Sequence, residues 1–175
     1  MKSDNGSISK DLLFGFDPKL ARAWTKAEGD HHHEHGHNHS HTSELECLSI
    51  TLSSPHPDAS VDLEKLMSLL KTAPKDEVYR IKALLYAKDS PKNSNGTVIP
   101  GSAARSRFIL NWSFGRWTWS HSDVSAASPS EDLLRMSIFT AQHESNKWTK
   151  KIEAGRYICV EDDVGDNTLV VKRVQ

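Results

Sequence analysis

Residues 31–41 read HHHEHGHNHSH, seven histidines in eleven positions, interrupted by Glu34, Gly36, Asn38 and Ser40. A stretch this polar has nothing to bury, and its Gly, Asn and Ser residues disfavour a stable helix. It therefore divides the chain. Residues 1–28 read as a tail and a short connector helix, residues 29–44 as a disordered linker, and residues 45–175 as the folded domain. In an extended chain His33, His35, His37, His39 and His41 share one side, and in a helix His31 and His35 share a face. Neither arrangement defines a single fixed site. Neutral imidazole ligates Zn, Cu, Ni and Fe ions. Its ordinary pKa of about 6.5 leaves most of it deprotonated near neutral pH. The expectation is a metal collector with interchangeable ligand sets drawn from His31, His32, His33, His35, His37, His39 and His41. An expression tag fits poorly, because the tract is internal and interrupted. A solvated linker with a chance histidine bias is the plain alternative.

Length and charge bound the rest. A chain of 175 residues suits one domain of ordinary size with some unpacked sequence. With 22 Lys and Arg against 23 Asp and Glu the net charge is −1, which gives no argument for a nucleic-acid or anionic-membrane partner. No stretch approaches the roughly 18 apolar residues of a membrane span. The opening MKSDNGSISK lacks the apolar core of a signal peptide. Cys47 and Cys159 are far apart and form no CxxC pair, which argues against a disulfide framework and a zinc knuckle. Their apolar flanks (LECLSI and RYICVED) make core thiols the expectation for both. The default compartment is the reducing cytoplasm, with the nucleus as second choice.

Periodicity predicts the elements. Asp17 and Pro18 open a short helix through Leu20, Ala21 and Trp24, ahead of the linker. In residues 45–52, Leu48, Ile50 and Leu52 form the core face of a strand. Leu63, Leu66, Met67 and Leu70 mark an amphipathic helix over residues 61–71, capped by Ser60 or Asp62 and stopped before Pro74. Residues 77–87 form a long strand with Tyr79, Ile81, Ala83, Leu85 and Ala87 on one side, and Val78, Arg80, Lys82, Leu84 and Tyr86 on the other. Residues 105–112 and 116–121 pair around Phe114-Gly115. A Ser/Pro linker follows at 122–131, then a strand over 133–142. Ser145 is the candidate cap of a helix that Gly155 stops. Residues 157–161 and 168–174 are final strand candidates. The order β-α-β-β-β-β-α predicts an α+β fold: a mostly antiparallel sheet with two helices on one face, ferredoxin-like with an enlarged meander.

Trp112, Trp117 and Trp119 cluster in sequence with Phe108 and Phe114. Core packing is the favoured reading over a base-stacking face. Arg80 and Lys82 point the same way on one strand, and Arg105 and Arg107 do so at the next. Paired, these strands make a basic patch fit for a partner, or simply a solvated sheet face. There is no GxxxxGK[ST] loop, GxGxxG, HExxH or GxSxG. A lone His143-Glu144 dipeptide is weak support for a general base. No catalysis is expected.

The ordered series is more telling. A His-rich linker precedes the helix start DLEKL at residues 62–66. Then follow YRIKALLYA at 79–87, FILNWSFGRWTWS at 108–120 and LRMSIFTAQHESNKWTKKIEAG at 134–155. Together they resemble the C-terminal domain of the CobW-type metallochaperone GTPases, linked to cobalamin synthesis and zinc delivery. The likeness covers residues 11–157, and FGFDPKLA resembles the family's connection out of its GTPase domain. Two departures stand out. Ala83 occupies the place of the family's usual Gly in R-x-K-G, and the P-loop and Cys-x-Cys-Cys motif have no counterpart. The resemblance implies zinc as the metal, with nickel or cobalt as alternatives, and no bound nucleotide. It implies a client metalloprotein or a separate GTPase domain as partner. The His tract and the matched Arg80 and Lys82 are what carries over. The alternatives are a protein-interaction domain with the tract as mere linker, or a truncated fragment of a full GTPase.

Overall fold

The computed structural model describes residues 45–101, 104–122, 132–163 and 165–174. Within them, alternation builds the sheet. In β1 (Leu45–Ser53) Glu46, Leu48, Ile50 and Leu52 are buried, whereas their neighbours are half-buried or exposed. The same period governs β2 (Val78–Ala87), β3 (Ser106–Ser113), β4 (Arg116–His121) and β5 (Asp132–Ala141). A sixth strand, β6 (Thr168–Val174), completes an antiparallel sheet of order β4-β3-β2-β5-β1-β6.

Register turns the alternation into rows. Ile50, Met136, Ala83, Leu110 and Trp119 stand side by side across five strands. Leu48, Ile138, Ile81 and Trp112 form the next row, and Leu52, Leu134, Leu85 and Phe108 the one beyond. Helix α1 (Leu63–Thr72) buries Leu63, Leu66, Leu69 and Leu70 against this face, and helix α2 (Ser145–Gly155) buries Trp148 and Ile152. Burying one such large apolar side chain is worth about 1.5–3 kcal/mol. This single core, not helix propensity, therefore holds both helices down. Trp112, Trp148 and Phe108 are its largest members.

The expected α+β, ferredoxin-like arrangement is the one observed. The β1-α1-β2 crossover spans β5, and the β5-α2-β6 crossover spans β1. The β3–β4 hairpin widens the sheet at one side. Its two-residue turn has positive φ at both Phe114 (48°) and Gly115 (81°), which matches the twist of the strands it joins.

Several local expectations need correction. Helix α1 begins at Leu63, not residue 61, because the Asp62 side chain accepts the Lys65 N–H and caps it. Val61 bridges Val160 instead. Residues 157–161 form no strand. That isolated bridge leads into a short 3-10 turn, Glu161–Asp163, kinked at Asp162 with φ 65°. Ser145 is not the cap of α2, and Gly155 does not stop it: Arg156 carries the left-handed φ of 49°. Cys47 and Cys159 are half-buried, not core thiols. Cys47 lies on the face of β1 opposite Leu48, away from the helices.

Candidate functional site

The histidine tract, the connector helix and the Ser/Pro linker beyond residue 122 lie outside the described residues. Among the described residues no group of three or more His, Cys, Asp or Glu side chains could hold a metal ion. What the fold does build is a face. With both helices on one side, the described residues place no helix on the other.

That second face is cationic. The strands carry seven Lys and Arg residues, and six of them (Arg80, Lys82, Arg107, Arg116, Arg135 and Lys172) point away from the helices. Asp132 is the only carboxylate that the strands contribute to it. Asp132 accepts from Arg135 Nε at 2.7 Å and from Ser53 Oγ at 2.8 Å at one end of the sheet. Near the other end a row runs Cys47, Phe139, Arg80, Ser113, Arg116. The adjacent row is Lys172, Ser49, Ser137, Lys82, Asn111, Thr118. Burial first, and then the charge of Arg80, hold the Lys82 ammonium below the ordinary lysine pKa. An arriving anion would offset the repulsion between Arg80 and Lys82.

The sequence-predicted basic residues therefore share a face but not a patch. Strands β2 and β3 run antiparallel, so Arg80 faces Ser113 while Arg107 faces Tyr86. Six residues of strand, about 20 Å, separate the two ends. Arg80 and Lys82 are joined instead by Arg116. At the far end the Arg105 guanidinium lies 4.2 Å from the centre of the Tyr86 ring and that of Arg107 at 5.8 Å. Arg105 also donates to the Pro57 carbonyl. Desolvation lowers its pKa, partly offset by Tyr86 and Asp58. This pair anchors the loop after β1 onto Tyr86, a packing role.

Trp112 and Trp119 take the expected core places, whereas Trp117 is half-buried on the edge strand. Trp112 is fully buried and donates from Nε1 to the Leu70 carbonyl at 3.0 Å, tying β3 to the end of α1. Trp119 is buried beside it, whereas Phe114, at the hairpin tip, is exposed. The His143-Glu144 pair is a turn: His143 has φ 70°, and Glu144 pairs with Lys147 at 3.4 Å.

The residue that organises this turn is Glu46, which the sequence alone did not single out. Its carboxylate is buried, accepts from the Ser145 backbone N–H at 2.9 Å, and meets Arg173 at 2.6 Å. Burial pushes its pKa up, but hydrogen bonds from Ser145 and His143 and the Arg173 charge outweigh that and hold it below the usual carboxylate value. Cys47 has no such support, and burial pushes its thiol up to about 11. Cys159 differs: the Lys65 ammonium sits 3.4 Å from its sulfur and 3.0 Å from Asp62.

Neither a family model, nor a curated protein, nor a solved structure matches this chain. No helix among the described residues is long and apolar enough to cross a membrane.

Proposed function

We propose that this chain is a metal-binding accessory module of a CobW-type metallochaperone system. Its His tract captures zinc, and its α+β domain docks on a client metalloprotein or a separate GTPase. The tract itself carries the metal half of this reading: seven imidazoles in eleven residues, beside a domain with a core of its own. Nickel and cobalt are the competing ions, since imidazole affinity follows the Irving–Williams order and in-cell selection depends on supply. Capture should weaken as pH falls through the imidazole pKa, because protons compete for the ligand lone pairs. The test is a zinc titration of the intact protein and of a variant lacking residues 31–41. At least a tenfold loss of affinity is expected, and equal affinity would sink the proposal.

The docking half rests on the helix-free face, where the described strands bring Arg80, Lys82 and Arg116 to one end and contribute one carboxylate, Asp132, at the other. A partner surface rich in Asp and Glu fits it. The same observation favours a second reading, an interaction domain in which the tract is only a linker. Pull-down with a candidate partner separates the two. Under the second reading, binding survives removal of residues 31–41 and fails in Arg80→Glu/Lys82→Glu. Under the first, partner binding without the tract delivers no zinc. Catalysis has no part in either reading.

A further inference from the structure

The two edges of the sheet are treated differently. At β4 a loop stands guard: Ser94 N–H donates to the Trp117 carbonyl at 3.0 Å, and Asn93 Oδ1 accepts the Trp119 N–H at 2.6 Å. Trp117 Nε1 also donates to the Lys92 carbonyl at 2.9 Å. At β6 the inner side pairs with β1 from Thr168 opposite Ser53 to Val174 opposite Cys47, without a bulge. Among the described residues nothing bonds to its outer backbone groups. An edge strand is a template for another strand unless proline, a bulge, charged side chains or a cover blocks it, and Lys172 near the end of β6 is the one lysine it carries. The sequence TLVVKRV has no proline. Its one charge toward the helix side, Arg173, is already matched by Glu46 at 2.6 Å. Leu169, Val170 and Val171 are consecutive and half-buried, and such residues favour strands.

We propose that β6 pairs antiparallel with β6 of a second copy of this chain, joining two six-stranded sheets into one. The strand is complementary to itself. With Val170 on the two-fold axis, Leu169 faces Val171 of the second copy and Thr168 faces Lys172, so no like charges stand directly opposite. A self-complementary edge closes at the dimer, because each copy has one β6. A two-fold axis normal to the sheet keeps both helix layers on one side. It sets two cationic faces next to each other on the other side, which doubles the surface available to an acidic partner.

Sedimentation velocity of the full chain tests this, run in chelator so that metal bridging between tracts contributes nothing. Over about 1–100 μM, the affinity range of small interfaces, a concentration-dependent monomer–dimer equilibrium is expected. Val170→Lys and Val170→Pro should each weaken it at least tenfold, whereas Val98→Lys, in the exposed loop far from β6, should leave it unchanged. If Val170→Pro fails to fold by circular dichroism, Val170→Lys decides, because its half-exposed site tolerates a lysine. A monomer throughout the range overturns the proposal. So does a dimer indifferent to both edge variants, or one that forms only when zinc is added.

Discussion

Glu46→Ala should destabilise the domain by about 2–3 kcal/mol, and the contacts allow that figure to be divided. The bond from Ser145 N–H to the Glu46 carboxylate caps helix α2 from a residue 99 positions away, and no local side chain does this work. Loss of a cap costs about 1–2 kcal/mol. The Ser145 backbone N–H is then buried without an acceptor, which puts the loss at the upper end of that range, about 2 kcal/mol. The Arg173 pair is short, but its guanidinium side is 50% exposed, so it contributes under about 1 kcal/mol. Glu46→Gln keeps an acceptor for Ser145 and should cost about 1–2 kcal/mol. Arg173→Met removes the ion pair alone and should cost less than about 1 kcal/mol. Urea unfolding followed by circular dichroism gives each value. The pH dependence has a definite sign. Glu46 has a folded pKa below its unfolded one, so its stabilisation is complete above about pH 4.3 and is lost as pH falls toward the folded pKa. The gap between wild type and Glu46→Gln should therefore narrow in acid. If Glu46→Ala costs no more than Arg173→Met, the carboxylate is an ion-pair partner only and the capping argument fails.

Three further outcomes follow from the same structure. Lys82→Met should raise stability at pH 7, because burial and the Arg80 charge disfavour the ammonium there. Because the folded pKa of Lys82 is depressed, that gain should fade as pH rises past it, which urea midpoints at pH 7 and above pH 10 will check. Trp112→Phe removes the bond to the Leu70 carbonyl and part of the core volume, and should cost about 2–3 kcal/mol by urea unfolding. A thiol reagent at pH 8 should modify Cys159, next to the Lys65 ammonium, faster than Cys47, whose thiol is pushed up to about 11. Cys159→Ser should then leave only a slow phase, and a surviving fast phase would refute the assignment.

Much of the sheet was legible because strands report themselves locally. Ile81, Ala83, Leu85 and Ala87 alternate with Arg80, Lys82, Leu84 and Tyr86, and the structure buries the first set; the expectation fails at the start of β2, where a register shift between Val78 and Arg80 puts Val78, not Tyr79, in the core. Asp62, immediately before the first apolar helix position Leu63, was a readable cap. Other features depend on pairing between distant strands. Nothing near Ser145 indicates that Glu46 will cap its helix, since that bond needs β1 and β5 in register with Glu46 opposite Thr140. Likewise Arg105 and Arg107 look like companions of Arg80 and Lys82 until the antiparallel pairing sends them to opposite ends. Arg116, Arg135 and Lys172 could have been put on a strand face by parity, but not on the same face without the strand order. The run at 157–161 is apolar enough for a strand. It pairs instead with the segment ahead of α1: Asp62 N–H donates to the Cys159 carbonyl, Glu161 N–H to the Ser60 carbonyl, and Val160 bridges Val61.

The placement of both helices has a consequence for function. Each crossover returns over the same side of the sheet, and Glu77 reinforces this by accepting from both Lys147 at 2.6 Å and Trp148 Nε1 at 3.1 Å. That clamp fixes α2 to the start of β2 and leaves the second face to side chains alone. A four-stranded core would give a narrow strip there. The β3–β4 hairpin adds Arg107, Asn111, Arg116 and Thr118 to it. Of these, Arg116 is what turns the Arg80 and Lys82 pair into a cluster. The hairpin thus does two things at once: it lengthens the core row through Trp112 and Trp119, and it extends the cationic surface on the reverse side. A substitution that disturbs the hairpin therefore loses core and surface together. For that reason Arg80 and Lys82, on the central strand β2, are the sounder positions at which to test docking, since their charges can be reversed while Ile81 and Ala83 keep the core intact.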